Sequence, residues 1–264
     1  MTSNYTTFKI ERDGAVAHVI LNRPQVKNAF DDVLIREMTE VLEAIAHDDA
    51  VRVMVLTGAG DAFSAGADLN WMKKVATYGF EENVEDALIF ARMMESLYRL
   101  PKPTIARING VCLGGGVGLV SACDVAVAVP EAKFALREIL LGIAPSAISP
   151  YVLRKIGENH AHDYFLTGRT FDAARAREIG LVNEVVERDL LDAEIDVWVQ
   201  RFLHAGPKAI AATKALINRV AWSSIEDVQA HTARTIASLR GSDEGREGFA
   251  AFFEKRKPNW DIEG

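Results

Sequence analysis

The sequence predicts an α/β core over residues 1–190, followed by an all-helical section over residues 191–264. Three observations carry that prediction. In the first two thirds, short β-branched runs alternate with helical periodicity, the pattern of parallel strands joined by helices. The run Val51-Arg52-Val53-Met54-Val55-Leu56-Thr57 is too continuously apolar for a half-exposed strand, so burial on both faces is expected. Beyond about Val186 such runs stop, and four helical patterns follow, punctuated by Gly206 and Gly241.

Taken in order, residues 8–12 and 15–22 read as a hairpin turning at Asp13-Gly14. Asp31 opens a helix whose Leu34, Met38, Val41, Leu42 and Ile45 share one face. The buried strand over 51–57 runs into the loop Gly58-Ala59-Gly60-Asp61. A second helix is expected over 82–100. It stops before Pro101 and Pro103, because a residue preceding proline is pushed out of helical conformation. Strands over 104–109 and 124–129 enclose a glycine-rich turn and a short helix at 114–123. The C-terminal helices are expected over 190–203, 207–220, 225–239 and 244–253.

Composition narrows the function. A chain of 264 residues with 49% apolar and 25% charged side chains can bury a substantial core. Its net charge of −7 argues against nucleic-acid or anionic-membrane partners. Lys255-Arg256-Lys257 remains as a local basic cluster for a phosphorylated ligand. Cys112 and Cys123 form no CxxC pair and are expected as buried free thiols of a reducing compartment. Residues 1–9 lack a basic region followed by an apolar run, and no stretch reaches membrane-spanning length. A cytoplasmic location is therefore expected.

Three segments carry chemistry. In Asn109-Gly110-Val111-Cys112-Leu113-Gly114-Gly115-Gly116-Val117-Gly118, adjacent glycines follow a buried strand and open a helix. Backbone N–H groups exposed there bind a phosphate or a developing oxyanion; the same glycines could serve only close helix–strand packing. Neither G-x-x-x-x-G-K-[ST] nor G-x-G-x-x-G fits the spacing. The small-residue loop Phe63-Ser64-Ala65-Gly66-Ala67-Asp68-Leu69 follows the strand over 51–57 and could supply a second backbone donor. Glu138 stands among apolar residues in Phe134-Ala135-Leu136-Arg137-Glu138-Ile139-Leu140-Leu141-Gly142. Burial would fit it for acid–base work near neutrality; pairing with Arg137, Arg154 or Lys155 would make it structural.

In order and spacing these segments resemble the crotonase (enoyl-CoA hydratase/isomerase) family over essentially the whole chain. The resemblance also rests on Lys27-Asn28-Ala29-Phe30, Leu166-Thr167-Gly168 and the ending Phe253-Glu254-Lys255-Arg256-x-Pro258. It implies a spiral of ββα units and a thioester oxyanion held by the backbone N–H groups of Ala67 and Gly115. It implies Glu138 as the carboxylate that moves a proton on the acyl chain. The same resemblance places Lys27, Ala29, Ala65, Gly66, Asp68, Leu69 and Gly114 along the CoA moiety, with Phe253 and Lys255 reaching its phosphate end. It further implies an acyl-CoA substrate, no other cofactor, no metal, and a homotrimer or dimer of trimers joined through the helical section.

One departure matters. Ordinary hydratases of the family carry a second glutamate where this chain has Gly118. A single glutamate suits a Δ3,Δ2-enoyl-CoA isomerase. Ala67-Asp68-Leu69-Asn70-Trp71-Met72, Gly115-Gly116-Val117-Gly118-Leu119 and Ala144-Pro145-Ser146-Ala147-Ile148-Ser149-Pro150-Tyr151 instead resemble a bacterial subgroup that hydrates branched 3-methylglutaconyl-CoA. In that reading a substrate carboxylate positions water in space left at Gly118, and Arg137 either anchors the carboxylate or forms an ion pair. Trp71 and Met72 line the acyl pocket or pack beneath the loop. Asp61 and Asp68 read as loop and cap residues, and His160 and His162 lack further ligands at zinc-like spacing. A non-catalytic acyl-CoA- or RNA-binding relative is a third reading, opposed by the acidic charge and by the retention of Glu138.

Overall fold

The N-terminal hairpin forms as β1 (Phe8–Asp13) and β2 (Val16–Leu21), antiparallel, turning through Gly14 at φ 51°. A computed structural model describes residues 5–261; residues 1–4, part of the N-terminal stretch weighed above for a targeting signal, lie outside the described residues. The Asp31 carboxylate caps α1 (Asp32–His47) by accepting from the Leu34 N–H at 2.8 Å. The expected face of Leu34, Met38, Val41, Leu42 and Ile45 is buried.

From β3 onward the chain repeats one pattern. A strand of the larger sheet is followed by a short strand of a second sheet, then by a helix. The first round is β3 (Val53–Gly58), β4 (Ala62–Ser64), then α2 (Leu69–Val75) and α3 (Phe80–Tyr98). The second is β5 (Thr104–Ile108), β6 (Val111–Leu113) and α4 (Gly115–Ala122). The third is β7 (Val125–Ala128), β8 (Lys133–Ala135) and α5 (Ser149–Thr167), broken at Gly157. The chain continues through β9 (Phe171–Asp172), α6 (Ala173–Glu178) and β10 (Glu184–Val185).

The larger sheet runs β1-β2-β3-β5-β7-β10, parallel throughout except for the β1–β2 pair. Val53, Met54, Val55 and Leu56 of β3 have no exposed surface, as a strand covered on both faces requires. The second sheet runs β4-β6-β8-β9, with β4, β6 and β8 parallel. Because those three strands run side by side in one direction, the loops that follow them emerge at the same end. That end holds the candidate site.

After Leu191 the chain is helical: α7 (Leu191–Leu203), α8 (Pro207–Val220), α9 (Ile225–Gly241) and α10 (Asp243–Glu254). The Arg52 guanidinium ties this section to the core by donating to the carbonyls of Leu203, Ala205 and Trp260. Lys214 pairs with Asp124 at 2.7 Å. Yet α8 buries none of its residues, and Ile217, Trp222, Ile225, Phe249, Phe252 and Phe253 are exposed. Among the described residues no helix is long and apolar enough to cross a membrane. Cys112 and Cys123 are free and buried, and burial pushes both thiols up, Cys123 to about 12.

Candidate active site

The loop after β4 is shaped by a bridge to the segment around Phe30. Ala65 N–H donates to Lys27 O at 2.8 Å, Phe30 N–H to Gly66 O at 2.6 Å, and Asp68 N–H to Phe30 O at 2.7 Å. Gly66 N–H reaches the Ser64 hydroxyl at 3.3 Å. The N–H groups on both sides of Ala67 are thus engaged, while among the described residues that of Ala67 has no acceptor. Lys27 and Asn28 adopt left-handed conformations, at φ 51° and 55°. Asn28 is fully buried, and its amide donates to Ala59 O and Ala62 O, which locks this turn against the loop.

The loop after β6 supplies the second donor. Gly114 N–H donates to Ala135 O at 2.8 Å, fixing β6 against β8. Gly115 then opens α4, and its N–H likewise has no acceptor among the described residues. Gly114 sits at φ 50°, and a Cβ there would stand 3.0 Å from Glu138 Oε1 and 3.9 Å from Gly66 Cα. Only glycine holds that backbone while leaving room for the carboxylate. These distances show that the loops after β4, β6 and β8 meet at one point.

Glu138 begins the short 3-10 turn Glu138–Leu141 after β8. Its Oε2 is buried with no hydrogen-bond partner, and burial raises its pKa above the ordinary carboxylate value, opposed only by its own backbone N–H. The ion-pair alternative for Glu138 fails. Arg154 donates to Pro150 O and faces Tyr98 and Trp222, and Lys155 donates to Asp124 O. Arg137 is exposed and has no ion pair among the described residues.

The space expected at Gly118 does not exist. A Cβ there would lie 2.3 Å from Ile148 Cγ2, 2.9 Å from Ile148 Cβ and 3.4 Å from Met94 Cε. Ile148 and Met94 are 2% and 0% exposed, so a packed aliphatic cluster replaces the missing glutamate. Water cannot be positioned there, and that part of the sequence-based expectation is corrected.

Of the other predicted residues, Ala29, Ala65, Gly66 and Leu69 belong to the two braced segments, and Leu69 is exposed as the first residue of α2. The Asp68 carboxylate caps α2 through Asn70 N–H and meets Arg23 at 3.0 Å, so it shapes the loop from within. Phe253 and Lys255 do not join the cluster within this chain: α10 packs on α9. His160 and His162 join no group of three metal-ligand side chains among the described residues. Sequence reading overlooked Arg23, whose guanidinium spans Asp31, Asp68 and Ala29 O. Its signal was faint, a lone arginine before Pro24.

Two backbone N–H groups without acceptors, on loops that meet beside a carboxylate whose pKa is raised, can stabilise an enolate and move a proton at the adjacent carbon. Comparison with known proteins agrees with that chemistry. The enoyl-CoA hydratase/isomerase family model matches residues 11–263. The hydroxycinnamoyl-CoA hydratase-lyase of Pseudomonas fluorescens is 36% identical, covering 93% of this chain and 92% of that protein. The short-chain-enoyl-CoA hydratase of Clostridium acetobutylicum is 33% identical over 94% and 95% of the two chains. The crystal structure of an enoyl-CoA hydratase from Shewanella pealeana superposes with a TM-score of 0.94 at 40% identity, covering 97% of each chain.

Proposed function

This chain belongs to the enoyl-CoA hydratase/isomerase family, and from that premise we propose that it adds water across the double bond of a 2-enoyl-CoA. The observation that carries the proposal is the meeting of three groups: the free Ala67 and Gly115 N–H groups and the unpartnered Glu138 carboxyl. The thioester carbonyl is polarised between the two donors. Addition of oxygen at C3 places negative charge on that carbonyl oxygen, and both donors strengthen as it develops. Glu138, whose carboxyl burial makes a weaker acid, then delivers a proton to C2. Loss of one such donor costs about 3 kcal/mol in the barrier.

The substrate we favour is branched or carboxylated, such as 3-methylglutaconyl-CoA. Arg137, exposed beside Glu138 without an ion pair among the described residues, supports it as the anchor for an acyl carboxylate. CoA enters as part of the substrate, along Lys27 and the loop after β4, and the reaction needs no other cofactor. The exposed apolar faces of α8, α9 and α10 support a homotrimer or dimer of trimers, in which Phe253 and Lys255 reach the CoA of a neighbour. The buried free thiols support a cytoplasmic location.

A second reading rests on the filled space at Gly118. With Glu138 as the single glutamate, a Δ3,Δ2-enoyl-CoA isomerase needs only one shuttling base. Product mass distinguishes the two after separate incubation with 3-methylglutaconyl-CoA, crotonyl-CoA and a 3-enoyl-CoA. Gain of one water, greatest on 3-methylglutaconyl-CoA, supports the hydratase. Rearrangement of the 3-enoyl-CoA at unchanged mass, with no water gained by either 2-enoyl-CoA, overturns it.

A further inference from the structure

Phe30 touches both loops that carry the free N–H groups, one through its main chain and the other through its ring. Phe30 and Ala67 form an isolated parallel β-bridge. Phe30 N–H donates to Gly66 O at 2.6 Å, and Phe30 O accepts from Asp68 N–H at 2.7 Å. In a parallel pair, a residue bonded in this way engages the two neighbours of its partner, and the partner's own N–H points to the far side. The bridge is therefore what turns the Ala67 N–H away from the Phe30 segment. Both sides of the bridge are anchored. Asp31, next after Phe30, caps α1, and Asp68, next after Ala67, caps α2. The Arg23 guanidinium joins these two carboxylates, at 2.9 and 3.0 Å.

The ring faces the other loop. A Cβ on Gly115 would stand 2.3 Å from Phe30 Cε2 and 2.8 Å from Phe30 Cδ2, so the ring edge rests directly on the Gly115 backbone. Phe30 is buried, and Phe90 of α3 backs it with ring centroids 5.9 Å apart. Phe90 Cζ is also 3.4 Å from the position of that Gly115 Cβ. At the next residue, Gly116, a Cβ would stand 2.9 Å from Ser64 O. The first turn of α4 is thus held between the end of β4 and the Phe30 ring.

We propose that Phe30 is a positioning residue for the reaction, setting the spacing of the Ala67 and Gly115 N–H groups: its main chain aims the first, and its ring seats the second. It acts through those donors rather than on the substrate. Donors fixed before the oxyanion forms need no rearrangement as its charge develops, and this is the source of their effect on the barrier. Removing the ring leaves the Gly115 backbone without its seat, and a misplacement of about 1 Å at a reacting centre can cost about 100-fold in rate. The role rests on Ala67 and Gly115 being the oxyanion donors, and it holds for hydration and isomerisation alike.

The test reads the donors directly. Butyryl-CoA labelled with carbon-13 at the thioester carbonyl has no double bond, so it binds without being hydrated or rearranged. Hydrogen bonds to its carbonyl oxygen weaken the C=O bond, and the infrared stretch moves to lower wavenumber on binding. Phe30→Ala is expected to return the stretch most of the way to its free value. The same variant lowers kcat on the best acyl-CoA about 100-fold, with KM within about threefold. Phe30→Val keeps a β-branched residue in the bridge and carries the test if the alanine variant does not fold. It is expected to shift the stretch in the same direction and lower kcat about tenfold, while Phe30→Leu refills the space and restores kcat to within about threefold of wild type. A purely structural role would lower Tm and the folded fraction but leave the stretch on folded protein unmoved. An unmoved stretch in folded Phe30→Val, whatever its kcat, overturns the proposal. A wild type that binds butyryl-CoA without lowering its stretch overturns the two donors themselves, and the proposed hydration mechanism with them.

Discussion

Replacing Gly118 by alanine tests whether the position is filled or open. The added methyl would stand 2.3 Å from Ile148 Cγ2 and 2.9 Å from Ile148 Cβ, where carbon atoms ordinarily rest about 3.5–4.0 Å apart. The overlap is with a β-branched side chain in a fully packed cluster. Ile148 has few rotamers to turn to, and Met94 closes the other side. Overpacking costs about 1–3 kcal/mol, and contacts this short belong at its upper end, about 2–3 kcal/mol; the gain in helix propensity from replacing glycine, about 1 kcal/mol, offsets part of it. The net is a destabilisation of about 1–2 kcal/mol, or a Tm lower by about 2–8 °C for a chain of this size. Thermal unfolding followed by circular dichroism reads it. Ile148→Ala removes Cγ2, the nearest carbon of the clash, and should therefore cost less in the Gly118→Ala background than in the wild type. Gly118→Glu should be more damaging still and gain no hydration activity. A Gly118→Ala protein as stable as wild type, or a Gly118→Glu protein with enhanced hydration, would refute the filled-pocket account.

Other consequences follow from the same geometry. Glu138→Gln should lower turnover on the order of 1000-fold and yet stabilise the fold. The folded-state pKa of Glu138 is raised above 4.5, so the stability linked to its protonation is present below pH 4.5 and lost as pH rises through the folded value. The variant's Tm advantage should therefore be greatest at pH 7–8 and vanish towards pH 4.5; no advantage at pH 8 would contradict a buried, unpartnered carboxyl. Arg23→Ala should destabilise by about 2 kcal/mol, because it leaves the buried Asp68 without its partner. It should also slow turnover by loosening the backbone at Ala67, so an unchanged urea midpoint would count against that tie. Arg137→Ala should leave crotonyl-CoA kinetics unchanged and raise KM for a carboxylated acyl-CoA at least tenfold. Equal effects on both substrates would remove Arg137 from specificity.

Much of this arrangement was legible from residue order, for physical reasons. The larger sheet and α1 announce themselves through burial periodicity, and Gly114, Gly115 and Glu138 through residue types that suit a backbone-donor site in apolar surroundings. The second sheet was not legible. Its strands β4, β6, β8 and β9 are two or three residues long, too short to show an alternation, and β4 runs into a segment read as a loop. Helix α5 was also missed, since its start is dominated by Pro145, Ser149 and Pro150 and its middle is broken at Gly157. At the site, the filling of Gly118 by Ile148 depends on a residue 30 positions away, and no local pattern reports such a contact.

The central claim is that Glu138, with the Ala67 and Gly115 N–H groups, carries the addition of water to a 2-enoyl-CoA. The most direct measurement is the isotopic mass of the product formed in 18O-labelled deuterium oxide, by wild type and by Glu138→Gln. The account predicts a 3-hydroxyacyl-CoA with one labelled oxygen at C3 and one deuterium at C2, formed by wild type and lost in the variant. A wild-type product without labelled oxygen, or label incorporated equally well by Glu138→Gln, would contradict it.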